Sequence, residues 1–393
     1  MKRLLVLGAT ATQISFIDTA KHLGCYVGVV DYNKNAPAVG CADEFYECSI
    51  LDENGILEIS QSFKPDGITC GTSDVGVLTA AKVCQQLNLP SMSVDTALRV
   101  KDKGVMIEAF EQNGVNHPRF QILEMESQEI TLDYPLIIKP VDNSASRGIN
   151  MVRTALELEN ALQDSFAHSI SNKIIVEEYL DGPEVSVEIL VQHGEPHILQ
   201  VTDKITSGEP HFIETGHSQP SQLAEEDVLA IRDLADRATR AVGLQDGCAH
   251  AEIKMTQTGP KMIEIAGRMG ADYITTVLLP NSTGVNMAEY EILRAIGEAK
   301  EYNPDELKAV SAVAVKFIQP KSGRPDRIEL QYNKEDLNQI VEIKVACDSN
   351  AVYGKAADNN DRIGYVIALG GTPAEALRKC DEIIDKTIVE YQD

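Results

Sequence analysis

Short apolar runs alternate with amphipathic stretches through the first quarter of the chain. "RLLVLG" (3–8), "CYVGVVD" (25–31) and "DGITCG" (66–71) read as buried strands. Between the first two, "TATQISFIDTAKHLG" places Ile14, Ile17, Ala20 and Leu23 on one helical face and closes at Gly24. Strands that alternate with helices imply a parallel, doubly wound sheet. From about residue 95 the texture becomes α+β. "SVDTALRVKDKGVMIEAFEQNGVNHP" predicts one helical segment, with Lys101 and Lys103 near its start and "NGVNHP" as its stop. Short strands follow in "RFQILE", "PLIIKPV", "INMVR", "KIIVEEYL" and "DGPEVSVEILVQ", with a helix around 155–166. A long helix is predicted over 224–242, then two strands, "CAHAEIKMT" and "KMIEIAGR", joined by the turn "QTGP". "EYNPDELKAV" (301–310) reads as a linker, and the remainder as a small α+β unit ending in a helix.

A chain of 393 residues is long for one core, so two or three packed domains are expected. Sixty acidic residues against 35 basic ones argue against a nucleic-acid or anionic-membrane partner. Any anionic ligand must then meet locally clustered Lys and Arg. The eight cysteines form no C-x-x-C pair, which favours reduced thiols and a cytoplasmic protein. No stretch approaches the roughly 18 apolar residues of a membrane-spanning helix. "MKRLLVLGATA" imitates a secretory leader, but its apolar run is short and continues into an amphipathic helix, so it reads as a first strand. After Gly8, the later glycines of a dinucleotide fingerprint are missing, and the strand-end acid Asp31 alone is a weak signal for such a site.

The hairpin "HAEIKMTQTGPKMIEIAGR" sets Glu252 and Glu264 on adjacent strands. Two carboxylates on one sheet face repel unless a cation lies between them, and an oxygen-only pair suits Mg²⁺ shared with phosphates. Arg268, four residues on, adds a fixed positive charge. Two exposed glutamates on an ordinary hairpin is the other reading. Lys139 ends the apolar run "PLII", where an ammonium is under-solvated unless it meets an anion. The loop 142–148 follows, with Ser144, Ser146, Arg147 and Gly148 able to wrap a phosphate or to form a plain surface turn. Glu177, Glu178 and Leu180 end another apolar strand, and Glu184 opens the next. Such a strand end can read an adenine amino group, with a nearby Glu for the ribose hydroxyls.

The order of these pieces resembles the ATP-grasp superfamily over nearly the whole chain. The resemblance implies an N-terminal Rossmann-like α/β domain (1–95) before the ATP-grasp domain (96–306), which carries a mobile lid near 119–181. A small C-terminal α+β domain (307–393) completes it. Lys103 and Lys139 match the family's phosphate-binding lysines, residues 142–148 its mobile loop, and Glu177, Glu178 and Leu180 its adenine segment. Glu184 matches its ribose contact, Glu252 and Glu264 its magnesium carboxylates, and Arg268 its phosphate-side arginine. The family usually reads E-I-N at the second metal strand, and here Ala266 replaces the Asn. That leaves the number of magnesium ions open, and Mn²⁺ could substitute.

The segment 201–223 resembles the substrate side of L-amino-acid ligases, with Lys204 and His217 its most chemical residues. His211 with His217, or His193 with His197, could instead be a zinc pair, but Gly and Pro break both segments and no Cys joins them. Phosphoribosylglycinamide synthetase-like and carbamoyl-phosphate synthase-like enzymes share the resemblance, though only one clamp is present. The implied activity is ATP-dependent coupling of a small-molecule carboxylate to an amine through an acyl phosphate. A carboxylase or purine-pathway ligase and a non-catalytic ATP binder are the alternatives, and a homodimer is compatible with all three.

Overall fold

The N-terminal unit is built on its apolar runs. β1 (Arg3–Leu7), α1 (Ile14–His22), β2 (Tyr26–Asp31), β3 (Glu44–Glu47), α2 (Glu53–Phe63), β4 (Gly67–Thr69) and α3 (Val77–Leu87) follow one another. The four strands form a parallel sheet in the order β3-β2-β1-β4. Leu4 to Leu7 and Val27 to Val30, Gly28 aside, are buried apolar positions, the composition of a parallel strand covered on both faces. Asp31 accepts the Ala9 and Asn33 N–H groups, both at 2.8 Å, so its carboxylate caps the chain turns beside it. The computed structural model describes residues 1–393 except 144–146, 209–212, 347–350, 355, 357, 358 and 393.

The helical segment expected within 93–118 is two helices, α4 (Val94–Lys101) and α5 (Lys103–Gln112). Asp102 between them is extended (φ −99°, ψ 113°), and its carboxylate accepts the Gly104 and Val105 N–H groups. An Asp that caps its own successors favours a fresh helix start over continuation. The break places Lys103 in the first turn of α5.

β5 (Phe120–Leu123), β6 (Leu136–Pro140), β7 (Asn150–Val152), α6 (Ala155–His168) and β8 (Ile174–Glu178) make an antiparallel sheet ordered β5-β8-β6-β7, with its own core around Leu136, Ile138 and Leu162. Then come β9 (Glu184–Gln192), β10 (Glu195–Thr206), β11 (Glu214–Gln219), α7 (Glu225–Val242), β12 (Gly247–Thr256) and β13 (Gly259–Ala266). A π-helical turn (Ile274–Leu278) leads to α8 (Leu279–Thr283) and α9 (Met287–Ala295). The stretch 301–310 is fastened by Lys308 and Val310 N–H groups donating to Thr283 and Ser282.

The chain ends with β14 (Ala312–Ile318), β15 (Arg324–Leu330), β16 (Ile340–Val345), β17 (Gly364–Gly370), α10 (Pro373–Asp385) and β18 (Thr387–Gln392). β14, β17 and β16 continue the central sheet, giving eight strands in the order β13-β12-β9-β10-β11-β14-β17-β16. One face of that sheet is apolar: Val185, Val187, Ile189, Ala249 and Ala251 share a core with Ile231, Leu234 and Ala238 of α7. Strand alternation turns the other set, Glu184, Ser186, Glu188, His250 and Glu252, to the opposite face. No helix among the described residues is long and apolar enough to cross a membrane. The seven described cysteines are free thiols.

Candidate active site

The polar face of the central sheet is a platform of in-register charges. Glu252 pairs with Glu264 on β13 and with Ser186 on β9, His250 with Glu188, and Lys204 of β10 with His217 of β11. The two predicted metal carboxylates therefore stand side by side. Each faces a lysine: Lys103 Nζ lies 3.1 Å from Glu264, and Lys204 Nζ lies 3.1 Å from Glu252. Lys103 also donates to the Asn143 carbonyl at 3.1 Å, and its own N–H donates to the Val141 carbonyl at 2.8 Å. Burial opposes its charge, but Glu264 and Asp74 outweigh burial and raise its pKa.

Lys204 is 6% exposed and meets three carboxylates, Glu184 at 2.7 Å, Glu252 at 3.1 Å and Glu214 at 3.2 Å. An ammonium has three N–H donors, so this cluster can satisfy it fully. Burial disfavours the ammonium, yet the three acids hold its pKa well above the usual range. Burial likewise opposes the Glu252 and Glu214 charges, and Lys204 more than offsets it, so both stay far below the ordinary carboxylate range.

Arg268 is held by Asp74, from the loop after β4, through Nε–Oδ1 and Nη2–Oδ2 contacts of 2.7 Å each. The paired bonds fix the guanidinium plane. Lys139 and Glu177, on neighbouring antiparallel strands, meet at 2.7 Å with side chains 5% and 7% exposed. Glu177 therefore reaches the site as the lysine's counter-ion. Glu178 is held by Arg119 (2.8 Å) and by Lys261. Burial raises its pKa less than these two cations lower it, and it falls to about 2. Leu180 lies half-buried between β8 and β9. Glu184, matched by resemblance to a ribose contact, here pairs with Lys204 and, at 3.6 Å, with Lys254.

In the loop 142–148, Asp142 accepts N–H groups of Ile170 and Ser171, and Gly148 (φ +74°) accepts Ser165 Oγ at 2.7 Å. Arg147 lies in the turn before Gly148, while Ser144 and Ser146 fall outside the described residues.

His217 is fully buried, 3.4 Å from Glu214 and 4.0 Å from Asp272, with its ring edge on Phe317. Neither ring nitrogen has a well-formed hydrogen bond among the described residues. Burial works against the charged ring, but Asp272 and Glu214 raise its pKa above the usual value. Arg362, from the C-terminal region, reaches Asp272 at 2.7 Å and Glu214 at 3.5 Å and stacks 3.8 Å over the Phe317 ring. Asp272 and Tyr273 both sit at positive φ, 52° and 66°, a backbone that non-glycine residues adopt at a cost of about 1–3 kcal/mol. A small recess beside them is lined by Thr12, Thr72, Asp272 and Tyr273. Of the two histidine pairs, His193 faces Glu301 and His197 packs on Tyr302 at 4.9 Å, while the pair of His211 with His217 falls outside the described residues because His211 does.

Asp74, Glu214, Asp272, Arg362, Glu188 and His250 were not singled out by sequence reasoning. Glu188 alone left a visible signal, a carboxylate inside the apolar run "EVSVEILVQ". A Mg²⁺ or Mn²⁺ ion fits the donor set at Glu252 and Glu264, two in-register carboxylates at the sheet face. Ser186 Oγ, buried and without a hydrogen-bond partner among the described residues, lies in the same rung as Glu252. Ala266 offers no oxygen side chain opposite His250.

Residues 132–277 match the ATP-grasp domain model. Residues 316–392 match the model of the L-amino acid ligase C-terminal domain 2. The chain is 25% identical over 347 residues to protein y4rH of Sinorhizobium fredii, covering 85% of this chain and 71% of that one. It is 29% identical over 240 residues to the alanine–anticapsin ligase of Bacillus subtilis, covering 54% of this chain and half of that protein. The crystal structure of an L-amino acid ligase from Bacillus licheniformis superposes with a TM-score of 0.83 at 24% identity, covering 100% of this chain and 99% of that one.

Proposed function

We propose that the protein is a cytoplasmic ATP-dependent ligase that joins a small-molecule carboxylate to an amine and releases ADP and phosphate. The reading rests above all on the in-register Glu252–Glu264 pair with Lys103, Lys204 and Arg268 around it. Five charged groups on one sheet face, in a chain that is strongly acidic overall, make a built site for a polyanion with its cation.

In this reading Lys103, Lys139 and Arg268 receive the phosphates of ATP. Glu252 and Glu264 would hold Mg²⁺, or Mn²⁺, which would supply positive charge to the phosphate oxygens. Arg147 and Gly148 contact the phosphates, and the Glu177–Leu180 segment and Glu184 take the nucleoside. The substrate carboxylate attacks the γ-phosphorus and ADP leaves. The amine nitrogen then attacks the acyl carbon, phosphate departs, and the amine proton is released. The chain's contribution is positioning and charge stabilisation, as in phosphoryl transfer generally.

The pocket of Glu214, His217 and Asp272, balanced by Lys204 and Arg362, suits a substrate that carries an ammonium group as well as a carboxylate. We assign residues 1–95, 96–306 and 307–393 to three domains. The separate β5-β8-β6-β7 sheet with its own core supports a lid near 119–181.

The test is ADP release from MgATP against pairs of amino acids and other carboxylates and amines, with product mass read alongside. Release that needs both partners, and a product equal to their sum less water, is expected. Release driven by bicarbonate, or none with any pair, would overturn the reading.

A further inference from the structure

Behind Glu252 lies a second charged pair, deeper in the sheet. Glu188 is fully buried on β9, and its register partner on β12 is His250, also buried. His250 Nδ1 lies 2.6 Å from Glu188 Oε1, while Nε2 on the far side of the ring lies 3.7 Å from Glu252. The second Glu188 oxygen accepts the Gly270 N–H at 3.2 Å. A Cβ on Gly270 would stand 2.8 Å from both Glu188 Oε1 and His250 Nδ1, so only glycine lets the backbone approach this closely. Gly270 lies between Arg268 and Asp272, the residues that carry the guanidinium and the pocket acid.

We infer that Glu188 and His250 are positioning residues: they orient the Glu252 carboxylate from behind and fasten the Arg268–Asp272 turn to the same strand. The inference rests on reading Glu252 as a metal and nucleotide carboxylate.

Three observations carry it. First, burying a charged pair seldom stabilises more than an apolar pair of the same shape, and the neighbouring strand positions are Val, Ile and Ala. Second, the pair is aimed: one imidazole nitrogen meets Glu188 and the other faces Glu252. Third, Glu188 touches both the metal strand, through His250, and the turn bearing Arg268, through Gly270. Partners of this kind behind a metal ligand set its orientation, and losing one commonly costs about 10–100-fold in metal affinity.

The test uses Glu188→Gln, which keeps the shape, with Mn²⁺ binding followed by electron paramagnetic resonance in the presence of ADP. Mn²⁺ affinity is expected to fall about 10-fold or more, and kcat to fall with it while the KM for ATP moves less. Glu291→Gln, in the buried Glu291–Arg294 pair away from the site, is the control. It is expected to lower Tm and leave Mn²⁺ affinity unchanged. Should Glu188→Gln not fold, His250→Gln carries the same two readouts. Wild-type Mn²⁺ affinity in a folded variant would overturn the inference. Failure of the wild type itself to bind Mn²⁺ with ADP would instead overturn the nucleotide-site reading on which it rests.

Discussion

Asp74 grips Arg268 across 194 residues of sequence with two 2.7 Å contacts along one edge of the guanidinium. The loop after β4 thereby aims a charge that belongs to the strand β13 turn. Asp74→Asn removes the charge that fixes this plane. It is expected to cut kcat on the order of 10–10²-fold while changing the KM for ATP little. Steady-state ADP release decides it, and a kcat equal to wild type would show that Arg268 is aimed by something else.

Lys139 without a partner would be a poor strand end, and its loss would leave stability intact or improved. The Glu177 contact at 2.7 Å reverses that expectation. Lys139→Ala strands a buried carboxylate, at a cost of about 3–5 kcal/mol. Lys139→Met combined with Glu177→Gln should recover much of the loss while ATP binding stays weak. Chemical denaturation of the single and double variants separates the two effects.

Glu264→Gln keeps a group beside Lys103 but takes away a ligand charge. Magnesium-dependent turnover should fall on the order of 10²-fold or more, with Tm changed by only a few degrees. Undiminished turnover would remove Glu264 from the metal site.

Arg362→Lys should act on a substrate other than ATP. Lysine loses both the planar stacking on Phe317 and the paired reach to Asp272 and Glu214. The KM for one organic substrate should rise about 10-fold, with the KM for ATP within twofold of wild type. Equal shifts in both constants would place Arg362 outside the substrate pocket.

Glu178 gives an acid-dependent contribution to stability. Its pKa lies at about 2 in the fold against 4.5 for the unperturbed group, held down by Lys261 and Arg119 against the effect of burial. The contribution is fully present above the unfolded value and fades as pH drops from 4.5 toward 2. The stability gap between wild type and Glu178→Gln should therefore be constant from pH 7 to 5 and shrink below that. A gap that persists unchanged at pH 3 would contradict it.

Much of the framework could be read from local pattern. The hairpin of β12 and β13 was legible because its turn fixes which residues face each other, and Glu252 meets Glu264 as the spacing suggests. Helix α7 and strands β1, β2 and β4 follow directly from periodicity, whereas the short, half-buried β3 was not foreseen. The break at Asp102 was missed because the apolar period runs straight through it, and only the cap competes. The counter-ions Asp74, Asp272 and Arg362 could not be foreseen. Each joins its partner through the fold, and a lone Asp or Arg in a loop carries no local mark of such a partner. Glu188 differs, since a carboxylate in an apolar strand needs a partner somewhere, and the sequence alone does not name His250.

The eight-stranded sheet also bears on how this protein could change its substrates. The proposed substrate site takes His217 from β11, while Arg362 and Phe317 come from beyond it, and the seam is the four-rung ladder from Gly216–Lys316 to Gln219–Val313. A C-terminal segment borrowed from a relative would have to reproduce that ladder. A slip of one residue would turn every side chain on β14 to the wrong face. New specificity is therefore reached more readily by point changes around Arg362 than by exchange of whole segments, and lineages that recombine here should do so outside residues 214–319.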